Sequence, residues 1–171
     1  MAMEYFDLFG ISPALQVDRA KLSRRFFELS RQYHPDYHIK ATAAEQQEVL
    51  EKSALLNKAW KTFGDPDALI RYVLMEKGLL AEEEKYELAP AFLAEMMDIN
   101  EALMDADDPA AVAALQEQID ELETKIYTPV KALVENYREN DTPAEALLQV
   151  KEWYFRKKYL SRIRQQLAGM S

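Results

Sequence analysis

Residues 18–36 read DRAKLSRRFFELSRQYHPD, and this segment decides the fold of the first half of the chain. Asp18 is a favourable helix N-cap, because its side chain can accept a hydrogen bond from an amide of the first turn. The apolar residues that follow at spacings of four, three and four are Leu22, Phe26, Leu29 and Tyr33. Pro35 ends the helix, since proline disfavours the helical conformation of the preceding residue. The segment therefore predicts a capped amphipathic helix that leads into the loop His34-Pro35-Asp36.

Helices are also expected on both sides of this segment. The residues Tyr5–Phe9 form an apolar cluster that ends at Gly10, which predicts a short first helix. A long helix is expected at about 43–63, and Gly64-Asp65-Pro66 then combines a stop, a cap and a first-turn proline. A fourth helix should follow at about 66–77. The first half is thus predicted to be a helical hairpin with short flanking helices.

A linker is expected between this half and a second domain. The acidic, polar run at 81–85 lies within the expected linker region, residues 77–89. The first domain should span residues 1–76 and the second residues 90–171. Charge supports the division, because the first 75 residues contain 10 basic and 10 acidic side chains, whereas the rest of the chain contains 11 and 20.

The second domain is predicted to be an antiparallel bundle of three helices. Pro90 can open the first of them, and Asp108-Pro109 places a cap before a first-turn proline at the second. The third should begin after a similar signal at Asp141-Thr142-Pro143. Because Pro129 lies inside a long helical pattern, we expect a kink there rather than a new element. Three long helices joined by short turns are typical of a bundle.

Composition excludes several functions and favours an all-α fold, since the chain has only 4 glycines and is poor in valine and isoleucine. The absence of cysteine excludes disulfides, thiolate zinc sites and iron–sulfur ligation by this chain. A net charge of −9 disfavours nucleic acid as a partner. Met1–Phe6 lacks the pattern of a secretory signal, and no apolar run approaches ~18 residues. We therefore expect a cytoplasmic protein with no cofactor, no resident metal and no membrane contact.

Four sequence blocks together resemble the J-domain of DnaJ-type co-chaperones, over residues 4 to about 75. The blocks are Tyr5–Gly10, the helix before His34-Pro35-Asp36, that tripeptide, and Asn57–Pro66 followed by Arg71-Tyr72. The resemblance implies docking on the ATPase domain of a seventy-kilodalton heat-shock chaperone of the HscA or DnaK type. It also implies that the J-domain stimulates ATP hydrolysis by that chaperone.

The same resemblance assigns the residues of the chaperone contact. His34, Pro35 and Asp36 match the stimulating loop, and Tyr37 stands where the family usually has lysine. The basic face of the docking helix is matched by Lys21, Arg24, Arg25 and Arg31. The chemistry agrees, because a carboxylate can accept a bidentate arginine and a basic face is attracted to an acidic surface.

The helix expected from Ala91 carries more apolar residues than a bundle core needs. Its core stripe consists of Phe92, Met96, Ile99 and Leu103. A second row about 100° around the helix consists of Leu93, Met97 and Met104, flanked by Asp98, Glu101 and Asp105. In the last helix, Phe155 lies about 140° from the core face. The pattern indicates either a wide core stripe or an exposed apolar patch, rimmed by acidic residues, that binds a protein.

The domain order and the length resemble the HscB family of co-chaperones for iron–sulfur cluster assembly, whose scaffold-binding helix is similar to Ala91–Glu101. The resemblance implies an IscU-type scaffold protein as the second partner. The positions that it assigns to scaffold contact are Leu93, Ala94, Met97, Asp98, Glu101, Asp105 and Phe155. Because eukaryotic members add a cysteine-containing zinc module, the chain is expected to be a bacterial-type member. The expected function is a non-enzymatic co-chaperone that delivers the scaffold to the chaperone.

Other interpretations stay open from the residues alone. His34 and His38 have the spacing of zinc ligands, but Pro35 interrupts the helix between them and no third ligand is near in sequence. A catalytic role for His34 is disfavoured, because no serine or cysteine partner is near. The second domain could instead recruit a different client, as in a general J-domain co-chaperone. A purely structural helical protein with a chance His-Pro-Asp is the alternative from another class.

Overall fold

The structure is a computed structural model that describes residues 3–170. Met1, Ala2 and Ser171, which the sequence-based domain ranges include, lie outside the described residues. The described part of the chain consists of α-helices, two 3-10 turns and connecting segments, without a β-strand. The predicted all-α class is therefore confirmed. None of the helices in residues 3–170 is long and apolar enough to cross a bilayer.

The chain divides into two compact units. Unit 1 comprises Met1–Gly78 and Glu135–Thr142, and unit 2 comprises Leu79–Val134 and Pro143–Ser171. The first change of unit falls within the expected linker at 77–89. The later return of the chain to unit 1 was not expected from the sequence, which assigned the whole of 90–171 to one domain.

Unit 1 contains the predicted hairpin and its flanking helices. Its elements are α1 (Glu4–Phe9), α2 (Arg19–Gln32), a 3-10 turn (Pro35–His38), α3 (Ala43–Phe63) and α4 (Pro66–Glu76). Helices α2 and α3 pack against each other, and α1 and α4 pack on α3. The most deeply buried side chains of this core are Phe6, Leu29, Leu56, Ala59, Leu69, Val73 and Leu74.

Polar caps set the helix starts in unit 1. The Asp18 carboxylate accepts from the Ala20 amide at 3.0 Å, and Asp65 accepts from the first-turn amides of α4. At the start of α3, the Thr42 hydroxyl accepts from the Glu45 amide at 3.2 Å and the Glu45 carboxylate accepts from the Thr42 amide at 3.0 Å. Gly10 ends α1 with a φ of +66°, a conformation that favours glycine. The starts predicted from Asp18 and Asp65 are confirmed, as is the stop at Gly10.

Aromatic rings tie the helices of unit 1 together. The Phe6 ring lies 5.4 Å from that of Phe63, and the Phe26 ring stacks on Trp60 at 4.3 Å with planes 9° apart. Aromatic pairs of this kind stabilise beyond the apolar area they bury. Within this unit, Lys77 donates to the Glu139 carboxylate at 2.8 Å, which joins α4 to the returning segment.

Unit 2 contains the predicted three-helix bundle. Its elements are α5 (Pro90–Asp105), α6 (Pro109–Tyr127), a 3-10 turn (Thr128–Val130), the start of α7 (Lys131–Glu135) and α8 (Ala144–Ala168). Helices α5, α6 and α8 each pack against the other two. The core between them includes Phe92, Met96, Ile99, Leu115, Ile119, Leu147, Val150, Leu160 and Ile163.

Pro129 and Pro143 each lie at a helix boundary in the second half. Helix α6 ends at Tyr127, and a 3-10 turn containing Pro129 leads directly into α7, while the backbone stays right-handed helical at Tyr127, Thr128 and Lys131. Proline has no amide hydrogen to donate and collides with the preceding turn, which breaks the α-helical hydrogen-bond ladder. Pro143 is the N-cap of α8 rather than its first residue. Thr142 does not cap α8, because its hydroxyl accepts from the Arg138 amide at 3.3 Å.

Candidate functional site

The loop His34-Pro35-Asp36 is exposed at the end of α2. His34 has an extended backbone conformation, and Pro35 starts the 3-10 turn that follows. The Asp36 amide donates to His34 Nδ1 at 3.3 Å, and the Asp36 side chain is 81% exposed. The carboxylate lies beside the ring, with Oδ2 3.7 Å from His34 Nδ1. The loop thus presents a charged acceptor on a locally fixed backbone.

Two side chains outside the tripeptide hold this loop. His38 Nε2 lies 2.8 Å from the Gln32 carbonyl oxygen at the end of α2. From the first turns of α3, the Gln46 side-chain amide reaches the carbonyl oxygens of His38, Ile39 and Ala41 at 3.2, 3.0 and 3.3 Å. Residues 3–170 contain no group of three or more His, Cys, Asp or Glu side chains that could hold a metal ion. The sequence analysis missed Gln46, since nothing in its local pattern marks a contact to an irregular loop.

Gln46→Ala is expected to loosen the loop while the helices stay intact. The substitution removes the amide donor from three loop carbonyls, whereas alanine is a good helix former at this position of α3. We expect faster hydrogen exchange at the Tyr37 and Ala41 amides, roughly fivefold if one net hydrogen bond of ~1 kcal/mol is lost. Exchange measured by NMR checks this result. Gln47→Ala is the matched control, because the Gln47 amide contacts Glu51 on the helix surface; equal exchange in both variants would contradict the assignment.

The basic residues assigned from the sequence lie on the exposed side of α2. All four of Lys21, Arg24, Arg25 and Arg31 are exposed. Glu28 lies among them and accepts ion pairs from Arg24 at 3.5 Å and from Arg25 at 3.6 Å. Exposed pairs of this kind contribute little to stability, so both arginines remain available to a partner.

The outer row of α5 is also exposed. The residues on this surface are Leu93, Ala94, Met97, Asp98, Glu101 and Asp105, and Met104 continues it. Met97 is 63% exposed and Met104 is 84% exposed. The core stripe through Phe92, Met96 and Ile99 is buried separately. Of the two interpretations left open by the sequence, the exposed patch describes this helix, since the second row is not part of the core.

Phe155 is less exposed than the sequence analysis expected. Its ring stacks on Tyr86 at 4.6 Å with planes 1° apart, and it meets Tyr154 edge-on at 5.2 Å. The side chain is therefore half-buried. Tyr86 belongs to the stretch that was interpreted as a solvated linker, where polar composition gave no sign of a ring-to-ring contact.

An ion pair holds this stretch on α8. Lys151 donates to Glu84 at 2.6 Å, and its ammonium lies 5.6 Å from the centre of the Tyr86 ring. The hydrogen bond from Lys151 lowers the pKa of the Glu84 carboxyl, because it stabilises the ionised carboxylate. Burial raises the pKa of the Tyr86 hydroxyl, which therefore remains protonated.

Leu93 and Phe155 meet at one hollow of about 530 Å³ within unit 2. The other side chains around it include Tyr86, Leu88, Lys158, Tyr159 and Arg162. The other predicted scaffold-contact residues in the later turns of α5 extend this surface along the helix. They are Met97, Asp98, Glu101 and Asp105. The structure thus joins α5 and α8 in one surface, and it adds basic side chains that the sequence analysis did not assign.

Comparisons with known proteins agree with this architecture. A family model described as the HSCB C-terminal oligomerisation domain matches residues 88–168, which hold α5, α6, α7 and α8. The crystal structure of the human co-chaperone protein HscB is similar at a TM-score of 0.74 and 28% identity, covering 96% of this chain and 80% of the human one. The C-terminal part of the chain is thus similar to the HscB family model, and the chain as a whole is similar to human HscB.

A second structure supports the HscB fold. The chaperone HscB from Vibrio cholerae matches at a TM-score of 0.69 and 22% identity, covering 97% of this chain and 96% of that one. The family match includes the surface on α5, and the likeness to human HscB extends through the hairpin that carries His34-Pro35-Asp36. The resemblance to HscB co-chaperones stated from the sequence is confirmed, and it supports an HscB co-chaperone role.

Proposed function

We propose that this HscB-like protein stimulates the ATPase of a seventy-kilodalton chaperone of the HscA or DnaK type and delivers an IscU-type iron–sulfur scaffold to it. The observation that carries the proposal is the exposed Asp36 carboxylate, presented on a fixed loop at the end of a basic helix. The protein itself is a non-enzymatic co-chaperone that acts in the cytoplasm. Residues 1–76 serve as its J-domain, joined through 77–89 to a scaffold-binding domain at 90–171.

The chaperone contact follows from the chemistry of the loop and of α2. The Asp36 carboxylate can accept two parallel hydrogen bonds from an arginine of the ATPase domain, an arrangement stronger than a neutral hydrogen bond. The other loop residues, His34 and Pro35, fix its direction. The basic side chains that attract an acidic surface of the partner and orient the approach are Lys21, Arg24, Arg25 and Arg31.

The scaffold contact uses the surface on unit 2. Its apolar part consists of Leu93, Ala94, Met97 and Phe155, and its acidic part consists of Asp98, Glu101 and Asp105. Methionine and leucine adapt to the shape of a partner, while the carboxylates select basic groups at the rim. Because the chain has no cysteine, the cluster stays on the scaffold as cargo.

A steady-state ATPase assay tests the proposal. HscA-type and DnaK-type chaperones are assayed with increasing wild-type protein, each with and without an IscU-type scaffold. We expect stimulation of at least one chaperone, and a further increase when the scaffold is present. The scaffold should co-elute with the wild-type chain in size-exclusion chromatography. Stimulation without scaffold binding would favour a general J-domain co-chaperone with another client, and no stimulation under any combination would contradict the proposal.

A further inference from the structure

An exposed aromatic ring lies within the basic face of α2. Phe27 is 66% exposed, although a phenylalanine within a helix of a packed hairpin is usually covered. It follows Arg24 by three residues and precedes Arg31 by four, which places the three side chains on one face of the helix. The next helical turn beyond Arg31 leads into the loop that carries Asp36. The ring is therefore continuous with the proposed chaperone contact.

The Phe27 ring lies beside other aromatic rings of unit 1. The half-buried Phe26 ring stacks on the half-buried Trp60 ring, and the Phe27 ring lies 5.7 Å from that of Phe26. A shallow hollow of about 400 Å³ lies beside the Phe27 ring, and its lining residues are Ser23, Arg24, Phe27, Glu28 and Arg31. A rigid aromatic ring beside a hollow loses little conformational entropy when a partner covers it.

The charges around Phe27 are partly neutralised within the helix. Glu28 pairs with Arg24 and Arg25, so a partner's carboxylates must compete with a carboxylate that is already present. Rim charges of this kind mainly change the association rate and contribute little to affinity. An aromatic ring that becomes fully covered is a typical source of binding energy in an interface.

We propose that Phe27 is the apolar anchor with which α2 docks on the ATPase domain of the seventy-kilodalton chaperone. The inference rests on the proposed function. It adds the chemical character of the chaperone surface that α2 contacts. That surface is an apolar pocket rimmed by carboxylates, because the Phe27 ring is bordered by Arg24 and Arg31. The ring supplies affinity, and Asp36 supplies the stimulating contact.

The variant Phe27→Ala tests the anchor. Binding of the ATPase domain to the full-length chain is measured by isothermal titration calorimetry at low and moderate salt, and stimulation is measured across a range of co-chaperone concentrations. We expect the Kd to rise roughly thirtyfold, the size of a hot-spot loss. Stimulation should return to the wild-type level at saturating co-chaperone concentration, and the salt dependence of binding should match that of the wild type, because the basic side chains are unchanged. The variant should fold, since the ring is exposed.

The control is Leu148→Ala, which removes a 46% exposed side chain from α8 of unit 2. This control should bind the ATPase domain as the wild type does. If the wild type binds and Phe27→Ala has the same Kd, Phe27 is not the anchor of α2, while the proposed function stands. If the wild type neither binds nor stimulates, the proposed function fails and the anchor fails with it. A change in self-association of the free chain without a change in Kd would assign the ring to a contact between copies and overturn the inference.

Discussion

Replacing Asp36 by asparagine should reduce chaperone stimulation to the basal ATPase rate. The substitution keeps the shape of the side chain and removes the negative charge that an arginine of the partner would bind. Truncating one member of a desolvated charge pair costs about 2–5 kcal/mol, which corresponds to roughly thirtyfold or more. The measurement is the ATPase rate of the chaperone as a function of co-chaperone concentration.

The loop itself should survive the Asp36→Asn change. Its bond to His34 Nδ1 comes from the backbone amide of residue 36, and the exposed carboxylate packs against no core residue. Circular dichroism and thermal unfolding should therefore match the wild type. Asp107→Asn, on the exposed turn between α5 and α6, is the matched control and should stimulate normally. Wild-type stimulation by Asp36→Asn would show that the loop is not the active contact.

The double variant Leu93→Ala, Phe155→Ala should lose scaffold binding and keep chaperone stimulation. Both side chains line the same hollow on unit 2, so a scaffold seated there would cover them together. Truncating two apolar anchors costs about 3 kcal/mol, or roughly a hundredfold in Kd. Calorimetry with the IscU-type scaffold measures the binding, and the basal stimulation assay without scaffold measures the retained activity.

A control is needed because Phe155 also packs within unit 2. Its stacking on Tyr86 means that part of the loss could reflect a rearranged stretch at 84–88 rather than a missing contact. Leu93→Ala alone changes an exposed residue and should give a smaller loss in the same direction. Leu50→Ala removes an exposed leucine from α3 of unit 1 and should bind the scaffold normally. Unchanged scaffold affinity in the double variant would remove this surface from the proposed function.

Helix starts and stops were predictable because they depend on neighbours in sequence. Asp18, Asp65 and Asp108 each cap a helix through amides two or three residues ahead, so local chemistry suffices. Pro129 was harder, since a proline in a long helical pattern can bend the helix or end it. The structure places Pro129 in a 3-10 turn between α6 and α7, next to the buried Val130.

The site was predictable where family resemblance and helical spacing apply. The outward position of Met97 follows from its angle around α5, and the loop residues follow from the tripeptide. The exposure of Phe155 could not be predicted in this way. Its angle on α8 indicated an exposed ring, but Tyr86, about seventy positions earlier in the chain, covers one face of that ring. Gln46 was missed for the same reason, since its carbonyl partners lie in an irregular loop with no side-chain pattern.

The stacking of Trp60 under Phe26 has a practical consequence. The chain contains 2 tryptophans, and the other one, Trp153, lies in unit 2 with its ring 5.2 Å from Tyr127. Each unit therefore carries its own intrinsic fluorophore, and replacing either indole by phenylalanine leaves emission from a single unit. Trp60 adjoins the ring that supports Phe27. Its emission is thus positioned to change when α2 is covered, which gives a label-free signal of chaperone docking while Trp153 reports on the bundle.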